Sequence, residues 1–85
     1  MPEAVVLIAA ESRILARVKP SPEDILEKVS QLEGVQKAAV ITGPYDIAAW
    51  VEADSMDKIT QTLIEKIRSI EGVKKTVTHM VIRSK

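Results

Sequence analysis

The chain has 85 residues, a length that suffices for one domain with one modest hydrophobic core but not for a sensing domain beside a separate effector domain. Lysine plus arginine and aspartate plus glutamate each number 12, so the formal net charge is zero and gives no electrostatic reason to expect nucleic acid or an anionic membrane as a partner. Cysteine is absent, which excludes disulfides, thiolate metal sites and cysteine nucleophiles. The lack of asparagine fits a heat-adapted source.

The first predicted element is a β-strand at Ala4–Ala10, an unbroken apolar run. The run is far too short to cross a bilayer and no signal-peptide pattern precedes it, so we expect a cytoplasmic protein without a membrane partner. Both parities of the run are apolar: Val5, Leu7 and Ala9 on one, and Val6, Ile8 and Ala10 on the other. A sheet with one solvated face would alternate apolar and polar residues, so both faces of this strand are expected to be buried.

Residues 11–20 carry the short apolar stretch Ile14-Leu15-Ala16-Arg17-Val18, for which three interpretations stay open: a strand extension, a flap, or an additional apolar contact. A helix is predicted after it, because Ser21-Pro22-Glu23-Asp24 has the residues of an N-cap with proline at the first helical position. The apolar residues of this helix recur at helical spacing as Ile25, Val29 and Leu32. Gly34 is suited to the left-handed position beyond its last turn.

Two further strands, Val35–Thr42 and Ile47–Glu52, are joined by the loop Thr42-Gly43-Pro44-Tyr45-Asp46. Gly43 lets backbone amides approach a ligand, Tyr45 offers an aromatic wall with a hydroxyl, and Asp46 supplies a fixed negative charge. Amides with one carboxylate are what a zwitterion such as an amino acid requires. The same residues also make a good hairpin turn for local reasons, and the loop alone favours that interpretation.

A second helix and a last strand, Val73–Ile82, repeat the first helix-to-strand unit. Residues 64–73 superpose on residues 26–35, a shift of 38 positions. The apolar positions of the second helix are Ile59, Leu63, Ile67 and Ile70. Asp54 or Ser55 is expected to cap its start, and Gly72 is expected to end it as Gly34 ends the first helix.

The order strand, helix, strand, strand, helix, strand predicts an α+β, ferredoxin-like βαββαβ fold for a single domain over residues 1–85. Right-handed crossovers place strands one and three in the middle of a four-stranded antiparallel sheet, with both helices on one face. The other apolar face, which includes Trp50, then needs a second sheet to cover it, because exposed apolar surface on the order of several hundred Å² is unusual in a soluble monomer. We therefore expect a homodimer with its sheets packed face to face.

Catalytic and metal-binding sites are not indicated. The only histidine, His79, lies on a predicted edge strand without metal-ligand spacing, so a solvated or packing role is expected. The three glycines lie far apart, which excludes a glycine-rich phosphate loop. Phenylalanine is absent, and Trp50 and Tyr45 are the only aromatic residues, which disfavours RNA binding through the sheet. We expect no cofactor, no metal and no enzymatic activity.

Several segments together resemble the effector-binding domain, or RAM domain, of Lrp/AsnC-family transcriptional regulators. They are Gly34-Val35, Thr42-Gly43-Pro44-Tyr45-Asp46, Glu71-Gly72-Val73 and Thr76-Val77-Thr78, and the resemblance covers roughly residues 4–83. It implies a dimer of face-to-face sheets, often assembled into octamers or rings, with amino acids bound in clefts between dimers. Family members usually carry an N-terminal helix-turn-helix, for which this chain has no room, so it resembles the stand-alone form and no direct DNA binding is expected.

The resemblance also implies a set of ligand-binding residues: Gly43, Tyr45, Asp46, Met56, Thr76, Thr78 and Met80. In this set the glycine and the tyrosine form the wall of the loop, and Asp46 is the candidate partner for an amino group. The threonines lie on the last strand. Met56, at the start of the second helix, matches a position that lines the pocket, and Met80 is a further candidate for the same wall.

Three functions stay open at this point. The favoured one is an amino-acid sensor that converts binding into a change of assembly state. The second is a structural partner that inserts into oligomers of full-length Lrp/AsnC regulators without binding a ligand. The third is a small dimeric enzyme of the ferredoxin-like kind, which would use His79 or Trp50.

Overall fold

The architecture is that of a computed structural model, which describes residues 1–11 and 20–85. Its elements are β1 (Glu3–Ala10), α1 (Pro22–Ser30), β2 (Val35–Val40), β3 (Ile47–Glu52), a π-helical stretch (Lys58–Leu63) that continues into α2 (Ile64–Arg68), and β4 (Val73–Met80). The predicted order of strands and helices is confirmed. The apolar stretch at residues 14–18 lies outside the described residues. Within the described ranges, no helix is long and apolar enough to cross a membrane.

The four strands form one antiparallel sheet in the order β2-β3-β1-β4, so β1 and β3 are central and β2 and β4 are edges, as predicted. β1 sets the register on both sides, because Ile8 pairs with Ile47 of β3 and with Thr76 of β4. Each residue of β1 therefore identifies the residues of β3 and β4 that lie beside it in the sheet.

Both edge strands end two residues earlier than predicted. β2 stops at Val40 because the hairpin loop closes there, where the backbone N–H of Ile41 donates to the carbonyl oxygen of Asp46 at 2.8 Å. β4 stops at Met80 because its partner β1 begins at Glu3, whose carbonyl oxygen accepts a last bond from the N–H of Val81 at 2.9 Å. The start of β1 and the end of β4 therefore lie next to each other in the sheet.

The hydrophobic core lies between one face of the sheet and the helices. Its buried residues are Ala4, Val6 and Ile8 of β1, Ile47, Ala49 and Val51 of β3, Ile25 and Val29 of α1, and Ile59, Leu63, Ile64 and Ile67 of the second helix. These are the positions whose period of two or of 3.6 marks one face of a strand or a helix. Complete burial of one such side chain contributes about 1.5–3 kcal/mol, so this layer supplies most of the driving force for folding.

α1 begins with a capping box, and the predicted cap is confirmed. The backbone N–H of Asp24 donates to Ser21 Oγ at 3.3 Å, and the backbone N–H of Ser21 donates to Asp24 Oδ2 at 3.0 Å. Pro22 occupies the first helical position, where its missing N–H leaves no bond unmade. The helix start is therefore fixed by local chemistry.

The second helix contains a π-helical stretch that the sequence did not predict. The backbone N–H of Ile64 donates to the carbonyl oxygen of Ile59, five residues earlier, which widens the turn. Ser55, one of the two predicted caps, accepts a bond from the N–H of Lys58 at 3.2 Å. The other candidate, Asp54, forms an exposed ion pair with Lys58 at 3.9 Å instead.

Each helix is followed by the same turn, whose glycine lies farther from the helix than predicted. α1 is capped by Gln31 in the right-handed conformation, and Gly34 follows three residues later with φ 99°. The N–H of Val35 donates to the carbonyl oxygen of Leu32 at 3.1 Å, so Gly34 is the third residue of a β-turn that needs a positive φ. Gly72 has the same φ in the equivalent turn after α2, so the two copies of the sequence repeat also have the same local structure.

The sheet face opposite the helices is called the outer face below. Its residues are Val5, Leu7 and Ala9 of β1, Ala48 and Trp50 of β3, Lys37 and Ala39 of β2, and Lys75, Val77 and His79 of β4. Its centre is apolar, as predicted for the second parity of β1. At its rim the Lys37 ammonium lies 4.9 Å from the centre of the Trp50 ring, a cation–π contact.

Candidate functional site

The loop between β2 and β3 is tied to the end of β1 by Asp46. Its backbone N–H donates to the carbonyl oxygen of Ile8 at 2.9 Å, and its carboxylate Oδ2 accepts the N–H of Ala10 at 2.7 Å. β3 begins at Ile47, so none of its backbone carbonyl groups lies opposite the N–H of Ala10. The Asp46 carboxylate accepts that hydrogen bond instead. Asp46 therefore has a structural role in addition to the charge that the sequence suggested.

Asp46 also keeps capacity for a second partner. An ionised carboxylate has two oxygens with about four acceptor positions, and the side-chain bond described here uses one of them. The residue is half-buried, so solvent and ligands still reach it. An ammonium group at Oδ1 would leave the bond to Ala10 intact.

The tip of the loop is open. Gly43 is exposed with φ 120°, and a Cβ built there would meet no atom within 4 Å among the described residues. Glycine is therefore needed for conformation rather than for space. Tyr45 is half-buried beside it, and within the described part of the chain its hydroxyl has no hydrogen-bond partner.

The three candidate residues of β4 all lie on the helix-facing side of the sheet. Thr76, Thr78 and Met80 pair with residues of β1 that belong to the core, and all three are half-buried. Met80 packs against that core. Thr76 lies at the end of the sheet that carries the β2–β3 loop, and Met80 lies at the other end.

Within one chain the candidate residues fall into two groups, with Thr78 between them. The loop residues and Thr76 are near the start of β3, whereas Met80 and the exposed Met56 are near its end at Glu52. β3 spans five residue steps, and Thr76 and Met80 are four steps apart on β4, so the groups are separated by about 13–17 Å. A single chain does not bring the whole set around one ligand.

A cleft that the sequence analysis missed lies beside the second group. Its volume is about 540 Å³, and it runs between the start of β2, the end of β3 and the π-helical stretch. Its charged lining residues are Glu33, Glu52, Asp54, Lys58 and Lys66. The repeated Glu-Gly turns were the only sequence signal that could have pointed to it.

The described part of the chain holds no cluster of three or more residues suited to bind a metal ion. His79 is exposed on the outer face of β4, where it pairs with Val5. It has no acid or nucleophile hydrogen-bonded to it among the described residues, so the geometry assembles no catalytic group around it.

The sequence of the domain matches a known protein family over almost its whole length. The model of the Lrp/AsnC ligand-binding domain matches residues 4–85. The chain belongs to the Lrp/AsnC ligand-binding domain family. The resemblance seen in the sequence motifs is thus confirmed, together with the ferredoxin-like fold.

Relatives of this Lrp/AsnC domain include parts of larger proteins. Homocitrate synthase from Sulfurisphaera tokodaii is 31% identical over 81 residues, which cover 95% of this chain and 16% of that enzyme. An HTH-type transcriptional regulator from Pyrococcus furiosus is 30% identical over 69 residues, which cover 76% of this chain and 46% of the regulator. The chain therefore spans less than half the length of each of these relatives.

A solved structure of similar length shows the same fold. The protein TTHA0845 from Thermus thermophilus is 27% identical to this chain and superposes with a TM-score of 0.82. The likeness covers 100% of this chain and 98% of that one. The two chains thus share one fold without a large additional domain in either.

Proposed function

We propose that this chain is an amino-acid-binding regulatory module whose ligand changes how copies of the chain assemble, and that it is not itself an enzyme. The observation that carries the proposal is the match of the Lrp/AsnC ligand-binding domain to residues 4–85. The loop around Gly43 and Asp46 supports it, because accessible amides next to a carboxylate suit a zwitterion.

Assembly would begin with a homodimer in which two outer faces pack together. The apolar centre of this face, at Val5, Leu7 and Val77, is half-buried within the chain and gains further burial when a second sheet covers it. A twofold contact uses each residue twice, so a modest patch yields a substantial interface. Higher oligomers would be built from such dimers.

The proposed amino-acid site then spans two copies. Because the two groups of candidate residues are about 13–17 Å apart in one chain, the loop of one copy and the start of the second helix of another would complete the site. The ligand's ammonium would bind Asp46, and its carboxylate would bind amides near Gly43 and the Thr76 hydroxyl. Met56 would supply an adaptable apolar wall, which favours apolar side chains.

A second candidate output is the regulation of an enzyme rather than of transcription. The similarity to homocitrate synthase from Sulfurisphaera tokodaii favours it, because a sequence like this one forms part of that enzyme. In this alternative the module binds an amino acid and alters the activity of an associated enzyme. Co-assembly with full-length Lrp/AsnC regulators without a ligand is the third alternative.

The proposal is tested by measuring the thermal midpoint and the mass of the chain with each of the twenty amino acids at millimolar concentration. A ligand that binds only the folded state raises the midpoint by mass action. We expect a rise with one or a few apolar amino acids, together with a change of mass in light scattering. If none of the twenty changes either quantity, the sensor function is refuted and ligand-free co-assembly takes its place.

A further inference from the structure

The internal repeat places two equivalent clefts in the domain. Each lies between one helix and the Glu-Gly turn that follows the other helix. The shift of 38 positions relates their linings pairwise: Lys58 to Pro20, Thr62 to Asp24, Lys66 to Lys28, and Glu33 to Glu71. The fold thus contains two clefts at equivalent positions whose lining residues differ.

The two clefts differ in size, and the smaller, beside Pro20, is called the filled cleft and the larger, beside Gly34, the open cleft. Pro20 packs over Gly72 so closely that a Cβ on the glycine would lie 2.5 Å from the Pro20 ring, and this cleft measures about 260 Å³. The position equivalent to Pro20 is Lys58, which belongs to the π-helical stretch and has no atom within 4 Å of a Cβ built on Gly34. Such a Cβ would meet the Glu52 carbonyl oxygen at 3.1 Å and Leu63 at 3.4 Å, and the cleft beside it measures about 540 Å³. Only the open cleft falls within the range of about 300–1,000 Å³ that is usual for small-ligand sites.

Two opposite charges in the open cleft have no partner within the described part of the chain. Asp54 is paired with Lys58, and Glu52 accepts a hydrogen bond from the Gln36 amide at 3.1 Å. The Glu33 carboxylate and the Lys66 ammonium, in contrast, form neither a hydrogen bond nor an ion pair with any described residue. The cleft therefore presents one free anion and one free cation on opposite walls.

The π-helical stretch lies along one wall of this cleft. It contributes Thr62, whose exposed side chain lines the cleft one turn before Lys66, and Leu63, which is almost fully buried at its floor. Such widened turns are often found at functional sites, because they displace side chains from regular helical positions. The filled cleft has no equivalent irregularity, since α1 is a regular α-helix.

We propose that the open cleft is a binding site for a small zwitterion with an ammonium and a carboxylate, such as a free amino acid, and that it is complete within one chain. The ammonium is held by Glu33, and the carboxylate is held by Lys66 and the Thr62 hydroxyl, with Leu63 beneath the ligand. This site is distinct from the two-copy site proposed above, because it uses none of the residues proposed to hold the ligand there and lies at the end of the sheet opposite the loop. It needs neither the loop nor a second copy.

The three glycines of the chain allow a direct test by nuclear magnetic resonance. The backbone amides of Gly34, Gly43 and Gly72 report respectively on the open cleft, the β2–β3 loop and the filled cleft. The full chain is titrated with each of the twenty amino acids. We expect a saturable shift of the Gly34 amide with at least one of them, and no saturable shift of Gly72.

Calorimetry on matched variants supplies the second measurement. Lys66→Met and Glu33→Gln remove one charge each from the open cleft and should weaken binding about tenfold or more, the range expected for a hydrogen bond to a charged group. Lys28→Met and Glu71→Gln make the same changes in the filled cleft. These controls should leave the affinity within about twofold of the unchanged chain. All four residues are on the surface, so folding is retained.

The outcomes separate this site from the loop site. A shift at Gly43 alone, with unchanged affinity in Lys66→Met and Glu33→Gln, overturns the cleft site while the proposed sensor function stands. Equal weakening by Lys28→Met and Lys66→Met also overturns it, since binding would then reflect general charge. If no amino acid binds at millimolar concentration, both the cleft site and the sensor function are refuted.

Discussion

The sharpest test of the proposed assembly compares two adjacent residues of β1. Ile8 is completely buried beneath the helices, whereas Leu7 is half-buried on the outer face between Ala48 and Val77. Ile8→Ala should remove about 2–5 kcal/mol of the free energy of unfolding, the range for a large residue truncated in a core. Leu7→Lys should act mainly on association, because its side chain belongs to the proposed interface.

The expected size of the association effect follows from symmetry. A twofold contact contains both copies of Leu7, and complete burial of one leucine contributes about 1.5–3 kcal/mol, of which at most about half is left for association because Leu7 is already half-buried in one chain. Replacing both therefore removes about 1.5–3 kcal/mol, which corresponds to a dimer roughly 10 to 150 times weaker. The charge of two facing lysines acts in the same direction.

Light scattering and sedimentation over a dilution series measure this effect. The unchanged chain should stay dimeric or larger at micromolar concentration, and Leu7→Lys should become monomeric. Trp50 lies on the same face with 37% of its surface exposed, so its fluorescence should shift to the red when the sheets separate. Gln61→Lys, an equal change of charge on the exposed side of the second helix, is the control. If Leu7→Lys keeps the mass of the unchanged chain, the outer face is not the interface.

Two further predictions concern the loop and the turns. Asp46→Asn keeps an oxygen that can accept the N–H of Ala10, so the fold should persist. Calorimetry should show the amino-acid affinity reduced by about tenfold to a hundredfold, because the charge is lost. Equal binding by Asp46→Asn and the unchanged chain would refute the role of this carboxylate. Gly72→Ala should lower the free energy of unfolding in chemical denaturation more than Gly43→Ala does. Both positions have positive φ, at a cost of about 1–2 kcal/mol, but only Gly72 would also press a Cβ against Pro20. Equal losses would show that the close packing at Gly72 is relieved without cost.

The topology was predictable because local and long-range signals agree. Ser21 and Asp24 form the capping box that their types suggest, and the helical spacing of Ile25 and Val29 puts them in the core. The apolar second parity of β1 correctly indicated an apolar outer face. Whether a second sheet covers that face stays a prediction.

The missed features depend on packing rather than on local preference. Nothing in Lys58–Leu63 favours a π-helix over an α-helix, because the widened turn is decided by how Ile59 and Leu63 reach the core. The displaced position of Gly34 is likewise set by the path from α1 into β2.

The candidate ligand site could be predicted only in part. The loop residues are neighbours in the sequence, so their proximity was assured. Thr76 and Met80 share one face of β4, as strand alternation requires, but four residue steps separate them by about 13 Å. A sequence motif identifies both residues as ligand-binding candidates, but it does not show that they are too far apart to contact one ligand.

The bond between Val81 and Glu3 has a consequence for how this domain combines with others. The chain enters β1 and leaves β4 on adjacent strands, at the end of the sheet opposite the β2–β3 loop. A fusion at either terminus therefore starts from the end of the sheet that lies away from the β2–β3 loop. Such a layout lets one domain be joined to proteins of different activity, which fits its similarity to segments of both a synthase and a regulator.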